Sequence, residues 1–344
     1  MSSSKNMFFL FALFSVLLLI LFFVDLCTGS VFIPVKEVIS VLSGHKSSVP
    51  EWHFIVTDYR LPKAWVALFA GMALSVSGLQ MQTLFRNPLA GPYVLGIMSG
   101  ANLGVALLVM GVSWFAHGEY AGIVGSFSVV AAAWTGAFVV LLLVMMVSLR
   151  VNDMMTLLVL GMLFTGASSA VVNMLQYFTH ESALKTFVVW TMGSLSGISP
   201  DDLYIFIPSI VAGLFLSFMM SQKMNVLLLG DTYARSMGLN IRFIRWMIFI
   251  STCLLAGTVT AFCGPIGFIG VVVPHLARMF FRTTNHWILH GACMLLGGIL
   301  LLSGDILSRL PGHAVQLPVD AVTALIGIPV MIWIIVKNFR FVSV

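Results

Sequence analysis

Apolar residues in this chain do not form narrow amphipathic stripes. They run in blocks of roughly twenty, separated by polar or Gly/Pro breaks. A helix of about 20 apolar residues matches the ~30 Å hydrocarbon layer of a bilayer. The blocks predict ten spans, near residues 7–26, 62–84, 91–112, 121–148, 154–178, 201–221, 243–263, 265–281, 287–304 and 320–337. The breaks around 86–91 and 263–266 are so tight that some of these helices are expected to be short or broken. Such interruptions are tolerated where neighbouring helices satisfy the freed backbone groups. Two breaks carry amphipathic patterns of their own. In PVKEVISVLSG, Pro34 suits a first helical position, and Val35, Val38, Ile39 and Leu42 share a face, which predicts a helix lying on the outer surface. In LLLGDTYARSMGLN, Asp231 is a good N-cap, Thr232–Met237 make about two turns, and Gly238 suits the position past the end. A helix that short is marginal in water, so it is expected to pack on its own bundle or on a partner.

Composition sharpens this into a class. Hydrophobic residues make up 60% of the 344 and charged residues 8%, with a mean hydropathy of +1.06. Soluble domains carry about a quarter charged residues. The pattern is that of an all-α polytopic membrane protein, a single transmembrane domain over residues 1–344. The formal charge of +5 does not indicate nucleic acid, because the cations lie singly between apolar blocks. With ten spans both termini share a side. Placing them inside puts Lys5, Arg86, Arg150, Lys223, Arg235, Arg242, Arg245, Arg278, Arg282, Lys337 and Arg340 there, against Lys36, Lys46, Arg60, Lys63, Lys185 and Arg309 outside. That excess of inner cations predicts N-in, C-in. The apolar run Met7–Val24 has no small-residue cleavage site after it and is expected to be an uncleaved first span. Cys27, Cys253, Cys263 and Cys293 lack C-x-x-C spacing and read as packing residues.

Several chemistries have no support in the residues. No lysine follows a glycine, so a Walker A loop does not occur and ATP must be bound by another chain if it drives transport. There is no H-E-x-x-H, no G-x-S-x-G and no paired intramembrane carboxylate pattern, with Asp153, Asp305 and Asp320 all at span ends. No catalytic or metal-ligating set emerges. An ion-coupled secondary transporter, which needs a buried ionisable coupling group, and a membrane enzyme are both disfavoured.

Five blocks together resemble the FecCD-type permease subunits of bacterial ABC importers for iron-siderophores, heme and cobalamin. They are YRLPKAWVALFAGMALSVSGLQMQTLFRNPLAGPYVLGIMSGANLG, VVWTMGSLSG, LLLGDTYARSMGLN, GPIGFIGVVVPHLAR and GDILSRL…QLPVDAVTALIGIPVMIWII, spanning residues 59–335 in order. Lys63 and Asp320 depart from the Arg and Gly expected there without disturbing the match. A metal-ion ABC permease is the nearest competitor within the class, expected to be shorter and to lack RNPLAGP and PHLAR.

The resemblance implies a non-catalytic transport subunit of ten helices in a bacterial plasma (inner) membrane, with no cofactor on this chain. It implies a homodimer with the path between the two copies, two ATPase subunits holding ATP and magnesium, and an extracytoplasmic substrate-binding protein. It further implies that residues 230–239 are the cytoplasmic coupling helix, with Gly230, Asp231, Ala234, Arg235 and Gly238 holding its shape and contacts. Arg60, Lys63 and Arg309 match positions that present cations to acids on the binding protein, and Asn87, Pro88 and Leu89 border the cytoplasmic gate.

Two further readings concern the path and a histidine. Large rigid chelates need a wide, weakly binding passage, which Ser75, Ser77, Gly78, Gln80, Met81 and Gln82 on the second span, or Thr165, Ser168, Ser169 and Asn173 on the fifth, suit; small residues equally serve helix packing. His275, in VVVPHLAR, has no matching ligands at clean spacing and is expected to mark the inner edge of the eighth span.

Overall fold

A computed structural model describes residues 2–45, 47–111, 126–151, 153–309 and 316–342. The expected start of the fourth span at 121–125, and Lys46, lie outside the described residues, as do the side chains of Lys337 and Arg340. The described chain is helical: α1 (Ser2–Cys27), α2 (Val35–Leu42), α3 (Pro50–Phe85, with a π-turn at Ile55–Arg60), α4 (Ile97–Gly111), α5 (Ser126–Ser148), α6 (Met154–Phe178), α7 (Glu181–Thr191), α8 (Leu203–Leu227), α9 (Asp231–Ser236), α10 (Ile241–Cys263), α11 (Ile269–Phe281), α12 (His286–Ser308) and α13 (Val319–Val342).

Seven of these helices are long and apolar enough to cross a bilayer: α1, α3, α5, α6, α8, α10 and α12. The three shorter apolar helices, Ile97–Gly111, Ile269–Phe281 and Val319–Ile334, fall where the remaining spans were expected. Shortening has local causes. Before α4, the 3-10 turn Pro92–Leu95 and Gly96 at φ 76° hold the chain out of α-helix. Before α11, Gly264 at φ 73° and Phe268 at φ 62° do the same.

Helix α3 is the hub, packing chiefly against α12, α11 and α8. Its small residues permit this. A Cβ on Gly78 would sit 1.7 Å from the Gly270 carbonyl oxygen of α11, and one on Gly71 2.2 Å from that of Gly297 on α12. Close approach replaces the hydrophobic drive that lipid does not supply. Ser75, Ser77, Gln80 and Met81 are therefore buried in the subunit: Ser75 bonds the Cys293 carbonyl at 2.7 Å, and the Gln80 amide bonds Ser251 and Thr252 of α10. The second-span residues considered for a path are interior packing. Two adjoining apolar cores result, one built on α1, α3, α8, α11 and α12, the other on α4, α5, α6 and α10.

Helix α6 differs. Gly166, Ala167, Ser169, Ala170, Asn173 and Met174 are exposed, and nothing lies near Gly166. Helix α2 buries Val38 and Val41 against the bundle and leaves Val35, Ile39 and Leu42 exposed together on one face.

Candidate functional site

The 86–91 turn, the start of α9 and His275 lie together at one end of the bundle. At the close of α3, Arg86 adopts the left-handed conformation (φ 48°) and stops the helix. The following turn is held twice. Asn87 Oδ1 accepts the Leu89 N–H at 2.9 Å, and His275 of α11 lies 2.8 Å from the Pro88 carbonyl oxygen through Nε2. His275 is thus a strut between α11 and this turn, not merely the polar edge of a span. The Leu89 side chain projects outward from the turn. Nearby, both terminal nitrogens of Arg278 donate to Gln82 Oε1 (2.8 and 2.6 Å), while Gln82 Nε2 donates to the Val271 carbonyl at 3.0 Å, closing α3 onto α11.

The 231–236 helix lies beside this turn. Gly230, at φ 111°, is its N-cap, and Gly238, at φ 79°, makes the left-handed exit that its position led us to expect. Asp231 is the first helical residue, and its carboxylate does not cap. One oxygen takes Arg86 of the turn at 2.6 Å, the other takes Arg245 of α10 at 2.6 Å. A single carboxylate therefore joins the short helix, the 86–91 turn and α10. Ala234 is fully buried in the α4–α6/α10 core and anchors the helix to its own bundle. The opposite face offers Leu229, Tyr233 and Met237, exposed at 65%, 51% and 56%, and Arg235 is exposed beside them. A helix with one face in its own core and an apolar face left open answers the question of what it packs on: the bundle covers half of it.

The far end contains the second charged constellation. Lys63 Nζ lies 2.9 Å from Asp305 Oδ1; Arg309 pairs with Asp305 and, at 3.0 Å, with Asp25. Arg309 also donates to the carbonyls of Asp25 and Thr28 (3.0 and 2.7 Å), and Arg60 donates to those of Leu26 and Cys27 (2.8 and 2.9 Å) and of Val31. Asp25 and Asp305 are completely buried, and Arg60, Lys63 and Arg309 nearly so. Two expectations change here. The three cations, expected at an open outer surface, face inward onto α1, α12 and the 28–33 connection, where they are paired or hydrogen-bonded within the subunit. And two carboxylates do share a buried site, assembled from α1 and α12, positions 280 residues apart whose meeting no spacing announces.

Among the described residues no group of three or more His, Cys, Asp or Glu is arranged to hold a metal ion. His286 and His290 serve packing: His286 meets Thr83 and Asn225, each at 2.7 Å, and His290 lies beside Ser217. Outside the spans, the Asp153 carboxyl accepts from the Thr156 hydroxyl and N–H at the start of α6, which holds it below the usual aspartate range.

A hub helix flanked by close-packed short helices, with a charge-tethered short helix at one end, is the fold of an ABC importer permease, as its likeness to known permeases shows. The chain belongs to the FecCD transport family, whose model matches residues 17–337. It is 33% identical over 95% of its length to the vitamin B12 import system permease protein BtuC of Citrobacter koseri, covering 93% of that protein, and 32% identical to that of Salmonella paratyphi A, covering 94%. Among solved structures, it superposes on a metal-chelate type ABC transporter in an inward-facing conformation with a TM-score of 0.83, at 27% identity and covering 95% of this chain and 99% of that one. PsaBC from Streptococcus pneumoniae shares the fold alone, at TM-score 0.50 and 13% identity over 87% and 94% of the two chains. This is a multi-pass inner-membrane transport subunit and not an enzyme.

Proposed function

We propose that two copies of this chain form the membrane pathway of an importer for a large metal chelate, with cobalamin favoured over iron-siderophores and heme. The relatives that carry vitamin B12 in their names support the first choice, and the metal-chelate transporter supports the wider class. In this reading all ten apolar helices cross the membrane, both termini are cytoplasmic, and the α9 end faces the cytoplasm, consistent with the cation excess. The path runs between the copies along α6, whose open face of Gly166, Ser169, Asn173 and Met174 suits weak contact with a rigid cargo.

The observation that carries the mechanism is the double engagement of Asp231. A separate ATPase docks on the apolar face of α9, around Tyr233 and Met237, with Arg235 at its side. Movement of α9 is passed by the Asp231 carboxylate to Arg86, and so to Asn87, Pro88 and Leu89, which border the cytoplasmic gate, and through Arg245 to α10. Gly230 and Gly238 permit the helix to pivot at both ends. At the opposite end an extracytoplasmic binding protein delivers the cargo to a surface whose shape, rather than whose charge, is set by Arg60, Lys63 and Arg309.

The test is uptake into proteoliposomes carrying the permease, its ATPase and its binding protein. Labelled cobalamin is expected to accumulate with ATP, ahead of a ferric siderophore and heme. A preference for either competitor overturns the substrate choice. Arg235→Glu is expected to leave ATP hydrolysis running while uptake falls; unaltered uptake would remove Arg235 from the coupling surface.

A further inference from the structure

Beside α9 lies a cavity of about 400 Å³ that none of residues 86–91 lines. Its wall is made by Ser148 at the end of α5, by Leu239 and Asn240, and by Arg235, Arg242 and Arg245. Three guanidinium groups around one cavity require compensating negative charge. Of the nearby carboxylates among the described residues, Asp231 is already divided between Arg86 and Arg245, and Asp153 is committed to its own helix start. Arg235 and Arg242 make no ion pair among the described residues, so the cavity keeps a positive excess.

The back of the cavity consists of membrane-helix ends, Ser148 and the first turns of α10, so it opens at the level of the lipid headgroups. A guanidinium fork fits the tetrahedral oxygens of a phosphate, with hydroxyl and amide donors beside it. Basic pockets between membrane helices on the cytoplasmic side are suited to phospholipid headgroups. From this geometry we infer that the cavity between α5, α9 and α10 is a binding site for a phosphate-bearing anion, lodged behind the coupling helix. The inference rests on the importer reading only in placing this end at the inner leaflet.

The experiment uses the full-length permease without ATPase, in nanodiscs of phosphatidylcholine alone or mixed with phosphatidylglycerol, and reads bound lipid by native mass spectrometry. A parallel arm titrates inorganic phosphate in phosphatidylcholine nanodiscs and follows thermal melting. Arg242→Gln is the variant, because Arg242 is exposed and its loss does not threaten folding; Arg282→Gln, a cytoplasm-side arginine outside the cavity, is the control. Retention of phosphatidylglycerol by the native protein, reduced on the order of tenfold in Arg242→Gln and unchanged in the control, is expected for loss of one charge-assisted contact. Stabilisation by phosphate without lipid retention, again lost in Arg242→Gln, keeps the site and assigns it to the free anion. Equal retention in both variants, or binding of neither probe, overturns the proposal. Because no transport is measured, failure here is separable from failure of the importer reading.

Discussion

The two charged constellations at opposite ends of this subunit use the same residue types for opposite purposes. At the far end, Lys63 and Asp305 are 9% and 0% exposed; at the α9 end, Arg86 and Asp231 are 50% and 34% exposed. Buried ions that lose their partner are left with an uncompensated desolvation cost, so such a network has one stable arrangement. Half-exposed ions exchange protein contacts for water at little cost, so a pair of that kind is free to shift. The first constellation fastens α1, α3 and α12 together, and the second joins a short helix to the 86–91 turn through a half-exposed pair, while its other arm, Arg245, is 6% exposed and holds Asp231 to α10. Burial, not the identity of the charges, separates a rivet from a lever.

The comparison is broken most directly at the buried end. Asp305→Ala strands the buried Lys63 and leaves Arg309 only Asp25, and is expected to cost about 3–5 kcal/mol, read as a large fall in melting temperature of the detergent-solubilised protein. A melting point near the native one would remove the distinction. Arg86→Ala is expected to do the reverse, changing stability by less than about 1 kcal/mol, because Asp231 keeps Arg245, while ATP-driven uptake falls on the order of tenfold. Arg86→Lys keeps a cation opposite Asp231 and should retain part of that uptake; uptake as low as in Arg86→Ala would argue that the charge pair is not what transmits motion. His275→Ala frees the Pro88 carbonyl and is expected to cost about 1 kcal/mol, with gating kinetics changing more than melting. The smallest effect is electrostatic. Asp153 titrates below the ordinary aspartate value of about 4, so its stabilisation of α6 is present above that pH and is lost as the pH falls through the depressed native value. Melting followed through that acid window should show a slight extra loss that Asp153→Asn lacks.

Much of this molecule was legible in the residues because lipid imposes a simple rule. Long apolar runs must become helices, so the spans, the breaks at 86–91 and 263–266, and the glycine exit at Gly238 follow from hydropathy and backbone chemistry alone. The short helix at Asp231–Ser236 likewise follows from its glycine boundaries and amphipathic run. What the residues misdirected was charge. Asp231 reads as an N-cap because aspartate before a short amphipathic run does so, yet Gly230 occupies the cap and the carboxylate turns to Arg86, 145 residues away. Arg60, Lys63 and Arg309 read as outward cations because they flank spans, but α3 begins at Pro50, ahead of the expected position 62, and carries Arg60 and Lys63 inside the fold.

The sequence by itself settled that this is a helical membrane permease of the FecCD type and where its short helix lies, since both depend on local runs of residues. Only the tertiary structure decided which charges face each other, that Asp25 and Asp305 share a buried site, that Gly78 is a packing contact and not a pore wall, and that three arginines surround one cavity. Those outcomes depend on helices distant in the chain coming within a few ångströms, and a charged or small side chain has the same local signature whether it meets water, lipid or another helix.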